Sequence, residues 1–210
     1  MVLITAILFR FISKIMIDGQ NSVKRSSRMI NSHDKQVDII RNNPGVILSV
    51  TKKYDGKAFP FSVTCSLPIT FDYHTDSYIH LSFLINTPAK SYNFPEGEMD
   101  KSNPYVSYTV IIESFRAKLI NLVTPKYLRN QGFASAILDI VSEVIKEYNK
   151  LIKSKNIHDL KDYSTIDSIT GYANSCDEEP KLNNEQLKMF YKKQGFEIIE
   201  KGYIKKSFTE

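Results

Sequence analysis

The segment Val123 to Ile137, VTPKYLRNQGFASAI, joins a strand-like run to a helical one, with Arg129, Gly132, Ala134 and Ser135 at the junction. The first backbone N–H groups of a helix have no partner inside it, and the helix dipole adds partial positive charge there. A diphosphate or similar anion suits such an end. Gly132 removes a side chain that would hold the anion away, and Ala134 keeps the next approach open. Arg129 adds a fixed positive charge, and Pro125, which cannot donate to a ladder, stops the preceding strand. The chemistry on offer is anion binding by backbone amides. On its own the hexapeptide Arg129 to Ala134 reads more simply as an ordinary helix start. Two other phosphate loops are excluded, because neither G-x-x-x-x-G-K-[ST] nor G-x-G-x-x-G after a strand occurs.

Other chemistry-bearing residues are sparse. Asp72, His74 and Asp76 alternate in FDYHTDSYIH, a pattern that reads more simply as a polar hairpin tip than as a metal site. His33 and His158 stand in polar contexts without partners, and Cys65 and Cys176 lack metal-ligand spacing, so no metal is expected. Lone cysteines and the lack of any Asn-x-Ser/Thr site favour a reducing, cytoplasmic setting.

The elements around the junction follow from periodicity. VILSVTKKY, FPFSVTCSLPITF and SYIHLSFLINT are rich in β-branched and aromatic residues and read as strands, with SYNFPEGEMDKSNP as a loop. YVSYTVIIES and RAKLINLVT read as a strand hairpin leading into the junction. From Ala134 through Ile152 apolar residues recur at helical spacing, which predicts a helix of about five to six turns. STIDSITGYA is the next strand. NNEQLKMFYKKQG is a short helix capped by Asn183 or Asn184, with Gly195 just past its end. FEIIEKGYIKKSF closes as a hairpin around Gly202. Upstream, Asp34 to Arg41 is expected to form a short helix with Val37 and Ile40 inward, ended by NNPG. This order predicts a mixed α/β domain over 46–210 with one central, mostly antiparallel sheet flanked by helices, preceded by a helical and linker segment over 1–45.

Composition is that of a globular chain. Of 210 residues 42% are hydrophobic and 24% charged, and the net charge of +5 reflects 28 basic against 23 acidic residues. That bias suits an anionic ligand, although a lysine-rich solvated surface explains it too. The apolar opening MVLITAILF is cut by Arg10 and Lys14 and is too short for a membrane span. It lacks the leading charge and cleavage site of a signal peptide. A helix packed on the domain is expected there, ahead of an upstream extension with the natural start at Met16 or an interfacial anchor. The basic run KEYNKLIKSKNIHDLK has no recognisable nucleic-acid reader motif, so no specific nucleic-acid partner is expected.

LINLVTPKYLRNQGFASAIL resembles motif A of the GNAT superfamily, the acyl-CoA-dependent N-acetyltransferases, whose Arg/Gln-x-x-Gly-x-Gly/Ala follows a strand and opens a long helix. About fifty residues on, NEQLKMFYKKQGFEII is similar to that family's second signature, with Asn184, Phe190, Tyr191, Gly195 and Phe196 in register. The resemblance covers roughly Val46 to Phe208. Leu187 stands where a small residue is usual, Ala134 replaces the commoner glycine, and no family motif lies between Cys65 and Asn103.

The resemblance implies a GNAT-like fold and transfer of an acetyl group from acetyl-CoA to a primary amine, with homodimerisation admissible. It implies that the backbone of Leu122, Val123 and Thr124 bonds the pantetheine arm like an added strand. The amides of Arg129, Asn130, Gln131, Gly132, Phe133 and Ala134, with Ser135, would hold the pyrophosphate, and Asn184 would touch the cofactor. Tyr191 would lie near its sulfur. Chemically, a lysine-type ammonium with pKa ~10.4 must lose a proton before attack, and a backbone N–H at Val123 or Thr124 suits the thioester oxyanion. The departing thiolate gains from a proton donor, for which a tyrosine near ~10 serves. Tyr191 is the expected acid. Glu113 is a candidate base and reads equally as a solvated strand end. The alternatives are a non-catalytic acyl-CoA-binding module and a basic interaction domain with a purely structural turn.

Overall fold

The computed structural model describes residues 31–42, 45–70, 79–94, 107–113, 116–124, 129–154, 164–173 and 183–208. In chain order they form β1 (Ser32–Asn42), β2 (Gly45–Asp55), β3 (Pro60–Thr70), β4 (Ile79–His80), β5 (Ser82–Asn86) and β6 (Ser91–Phe94). Then come β7 (Ser107–Glu113), β8 (Arg116–Val123), α1 (Phe133–Ser154), β9 (Ser168–Tyr172), α2 (Asn184–Lys193), β10 (Glu197–Ile198) and β11 (Tyr203–Ser207).

The fold is mixed α/β, but with two sheets rather than the one expected. The first has the order β1-β2-β3-β5-β6 and the second β10-β11-β9-β8-β7-β4. The division occurs at Leu81, where the chain leaves β4 in the second sheet and enters β5 in the first. Leu81 itself is buried, so the crossing is held by the core. Among the described residues every strand pairing is antiparallel except β8 with β9, whose link is long enough to carry α1 across.

Two local expectations are corrected. The helix expected over Asp34 to Arg41 is strand β1, which pairs with β2 from Ser32/Tyr54 to Asn42/Gly45. Val37 and Ile40 stand at helical spacing, yet Val37 and Ile39 also alternate, and stiff β-branched residues fit a pleated surface better. Residues on both sides of the 45/46 boundary therefore share one sheet. Ser91–Phe94, expected as the start of a loop, is strand β6 on the edge of β5. The apolar segment before residue 31 lies outside the described residues, as do Asp72, His74, Asp76, His158 and Cys176.

The core follows from the two periodicities. Leu48, Val50 and Tyr54 of β2 and Phe61, Val63, Cys65 and Leu67 of β3 alternate inward and are all nearly inaccessible. Against β2 and β3 lies α1, about 33 Å long at 1.5 Å per residue. It buries Phe133, Ala136, Ile137, Ile140, Val141, Val144, Ile145 and Tyr148, a stripe at three- and four-residue steps. Phe133 anchors its start, with ring centroids 4.4 Å from Phe61 and 6.4 Å from Phe59. Removing that ring would cost about 3–5 kcal/mol, enough to undo the helix entry. Ala117, Leu119, Ile169 and Ile204 of the second sheet join the same core.

Candidate functional site

The site begins where two parallel strands part. β8 pairs with β9 from Arg116/Ser168 to Leu119/Gly171, then runs on to Val123 without a β9 partner. On its other side β8 stays paired with β7 as far as Val123/Ser107, through a register shift that leaves Ile120 as an extra residue. Such a bulge bends the strand and re-aims its side chains. Ile120 accordingly points outward, 53% exposed. Leu122, Val123 and Thr124 follow half-buried, on a stretch whose β9-facing backbone edge has no ladder partner from that strand. An extended ligand can dock on such an edge as an added strand does.

Beyond β8 the chain turns into α1. Arg129 Nε donates to the Thr124 carbonyl at 2.9 Å, so this side chain helps to close the turn. Asn130 and Gly132 have φ of 64° and 98°, the left-handed region where glycine is unstrained and asparagine is tolerated. The Gln131 side-chain oxygen accepts from the Ala58 N–H at 2.9 Å, which ties the β2–β3 connection to the turn. Phe133 is buried, so it contributes packing through its ring.

The two helix starts are built differently. In α2, Asn183 accepts from the Gln186 N–H while Gln186 accepts from the Asn183 N–H, and Glu185 adds negative charge to the first turn. Its capping box thus takes up the Gln186 and Asn183 N–H groups with its own side chains. The first turn of α1 holds no acidic residue. Its early N–H groups and the positive end of its dipole suit an external anion.

The two sequence signatures meet at this helix start. Gln194, just past α2, places its side-chain nitrogen 3.1 Å from the Ser135 hydroxyl oxygen. Lys206 of β11 donates to the Gln194 carbonyl at 3.0 Å and fixes that residue from behind. Burial holds the Lys206 ammonium below its ordinary pKa, and Lys146 pushes the same way. Gly195 has φ of 81° and ends α2 as expected. Tyr191 is only 5% exposed, packed edge-on against Phe190 and Phe196 with centroids 5.3 and 5.6 Å away. Asn184 is exposed at the start of α2, and the capping role falls to Asn183.

Glu113 does not join this group. It ends β7 opposite Arg116, the first residue of β8, whereas the turn follows the last. At about 3.3 Å per residue the two ends lie roughly 23 Å apart. The antiparallel register, which spacing alone does not reveal, carries Glu113 away from the turn.

A polar cluster lies on the core side of β2 and α1, where no functional residue is expected from the sequence. On the core face of β2, between Val50 and Tyr54, Lys52 is 8% exposed and its ammonium lies 2.7 Å from Asp139 Oδ2 on α1. The Tyr54 hydroxyl donates to the same oxygen at 3.0 Å, and burial, then the Asp139 charge, raises its pKa. Nearby, Lys35 of β1 bridges Glu143 and Glu147 at 2.8 and 2.7 Å. Burial raises the Glu143 pKa, but hydrogen bonds from Lys35 and Lys146 outweigh it and bring it down to about 2. The one sequence cue was Lys52 in the inward phase of an alternating strand.

Among the described residues no three His, Cys, Asp or Glu side chains cluster as metal ligands. None of the described helices is long and apolar enough to cross a membrane. Comparison with protein-family models, curated proteins and solved structures finds no match for this chain.

Proposed function

We propose that the protein is a GNAT-type N-acetyltransferase that moves an acetyl group from acetyl-CoA to a primary amine. The observation that carries this reading is the parting of β8 from β9 after Leu119, directly upstream of the Gly132 turn and an acid-free helix start. A half-buried strand edge followed by a helix N-terminus suits a ligand with an extended amide-bearing arm and a diphosphate. Pantetheine diphosphate has that chemistry. Leu122 to Thr124 would bind the arm, and the amides from Arg129 to Ala134, with Ser135, would take the charge. Asn184, exposed and released from capping, is available to the same ligand.

Acetyl-CoA supplies a thioester carbonyl open to attack by an amine. In this reading a backbone N–H at Val123 or Thr124 stabilises the oxyanion that develops there. Tyr191 gives a proton to the departing thiolate. No role is assigned to Glu113, which its register keeps at the far end of β8.

A second reading, a non-catalytic acyl-CoA-binding module, is favoured by the burial of Tyr191 between two phenylalanines. A free-CoA release assay over a panel of amines separates the two. The enzyme reading expects turnover in wild type and a loss of about 10²-fold or more in Tyr191→Phe, with acetyl-CoA affinity unchanged. Tight binding with no turnover on any amine would leave the module.

A further inference from the structure

Serine hydroxyls within α1 dispose of their protons in different ways. Ser142 donates to the Leu138 carbonyl one turn back at 2.8 Å, and Ser154 donates to Leu151 at 2.9 Å. Ser135 sits in the first turn, where the residue one turn back, Gln131, precedes the helix. Its hydrogen bond within the described residues is with the Gln194 carboxamide nitrogen, 3.1 Å away. An amide NH₂ only donates, so Ser135 Oγ is the acceptor in this pair and its own O–H remains to be given elsewhere.

Gln194 is in turn held at its backbone. Its carbonyl accepts from the Lys206 ammonium at 3.0 Å. Its N–H is directed at the carbonyls of Phe190 and Tyr191, at 3.2 and 3.0 Å. The carboxamide therefore approaches Ser135 from a fixed point on the second signature segment, while Ser135 belongs to the first.

We infer that Gln194 is a positioning residue for the acyl donor: by donating to Ser135 Oγ it commits that hydroxyl to donate outward, to an anionic oxygen of the diphosphate. This rests on the acetyl-CoA reading of the site. It assigns a role to a position of the second signature segment that the matched residues leave open, directly before Gly195, and gives it a defined polarity. A donor at position 194 is required, and an acceptor there would turn Ser135 inward and set a negative charge beside the anion.

Calorimetric titration with acetyl-CoA tests this through the sign of the effect. Gln194→Ala weakens binding about 3- to 10-fold, the range for one hydrogen bond. Gln194→Glu weakens it further, whereas Gln194→Lys, which restores a donor, binds like wild type. In a Ser135→Ala background Gln194→Ala has no additional effect, since the two residues act through one contact. With turnover, KM for acetyl-CoA rises while kcat holds. Equal affinity in wild type and Gln194→Glu, or additive losses in the double variant, overturns the role of Gln194 and leaves the acetyl-CoA reading standing. Wild type that binds no acetyl-CoA overturns both. Unfolding midpoints of the ligand-free variants separate a loss of fold from a loss of positioning.

Discussion

Gly171 lies against Leu119 at the last paired position of the parallel strands, and a Cβ added there would sit 3.0 Å from the Leu119 carbonyl oxygen. It would also meet Leu119 Cβ at 3.1 Å. A Cβ fits here only if Leu119 gives by a few tenths of an ångström, just before the strands part. Gly171→Ala imposes that shift of Leu119 against the packed core, at a cost of about 1 kcal/mol. Urea denaturation of the variant reads this as a lower midpoint with an unchanged slope. A wild-type midpoint would mean that the close approach is not maintained in solution.

The Lys52–Asp139 pair, buried on the lysine side only, predicts an asymmetry. Asp139→Ala leaves the Lys52 ammonium, side chain 10% exposed, and the Tyr54 hydroxyl without their shared acceptor. Breaking such a pair from one side typically costs about 3–5 kcal/mol; the 39% exposure of Asp139 lets water offset part, so about 2–3 is expected. Lys52→Met removes the buried charge and leaves Asp139 partly hydrated and still bonded to Tyr54, which costs under about 1.5 kcal/mol. Equal losses from the two substitutions would contradict this account.

Glu143 gives the fold a signature in acid. Its carboxyl is lowered from 4.5 in the unfolded chain to about 2 in the folded one. A depressed carboxylate stabilises the folded state above its unfolded pKa and loses that contribution as pH falls toward the folded value. Stability therefore declines between about pH 4.5 and about pH 2. Glu143→Gln flattens this slope in denaturant titrations across that range. An identical slope in wild type and variant would remove Glu143 from the acid response.

How much of this was legible in the sequence depends on how local the signal was. α1, α2, the β7–β8 hairpin and the closing hairpin follow from periodicity, Gly195 and the Asn183 cap, all within one element or its ends. β1 was misread because three apolar residues in eleven satisfy both helical and strand spacing, and its partner β2 decided the outcome. The split into two sheets turns on a single residue, Leu81, with no distinguishing chemistry of its own. At the site, Gly132 stands out by type and position, whereas Ser135 takes its role only from the family resemblance. Gln194 and Lys52 do not stand out, because their partners lie 59 and 87 residues away. Glu113 shows the reverse error, since proximity in sequence to β8 became distance once the hairpin folded back.

The most direct test of the central claim is equilibrium unfolding of the wild-type chain with and without acetyl-CoA. A ligand gripped by the native turn and strand edge adds about 2.7 kcal/mol at one hundred times its Kd, and the midpoint rises with concentration. That rise is the expected result with acetyl-CoA. An unchanged midpoint at millimolar acetyl-CoA would contradict the acetyl-CoA reading and leave the Gly132 turn as the start of a helix and nothing more.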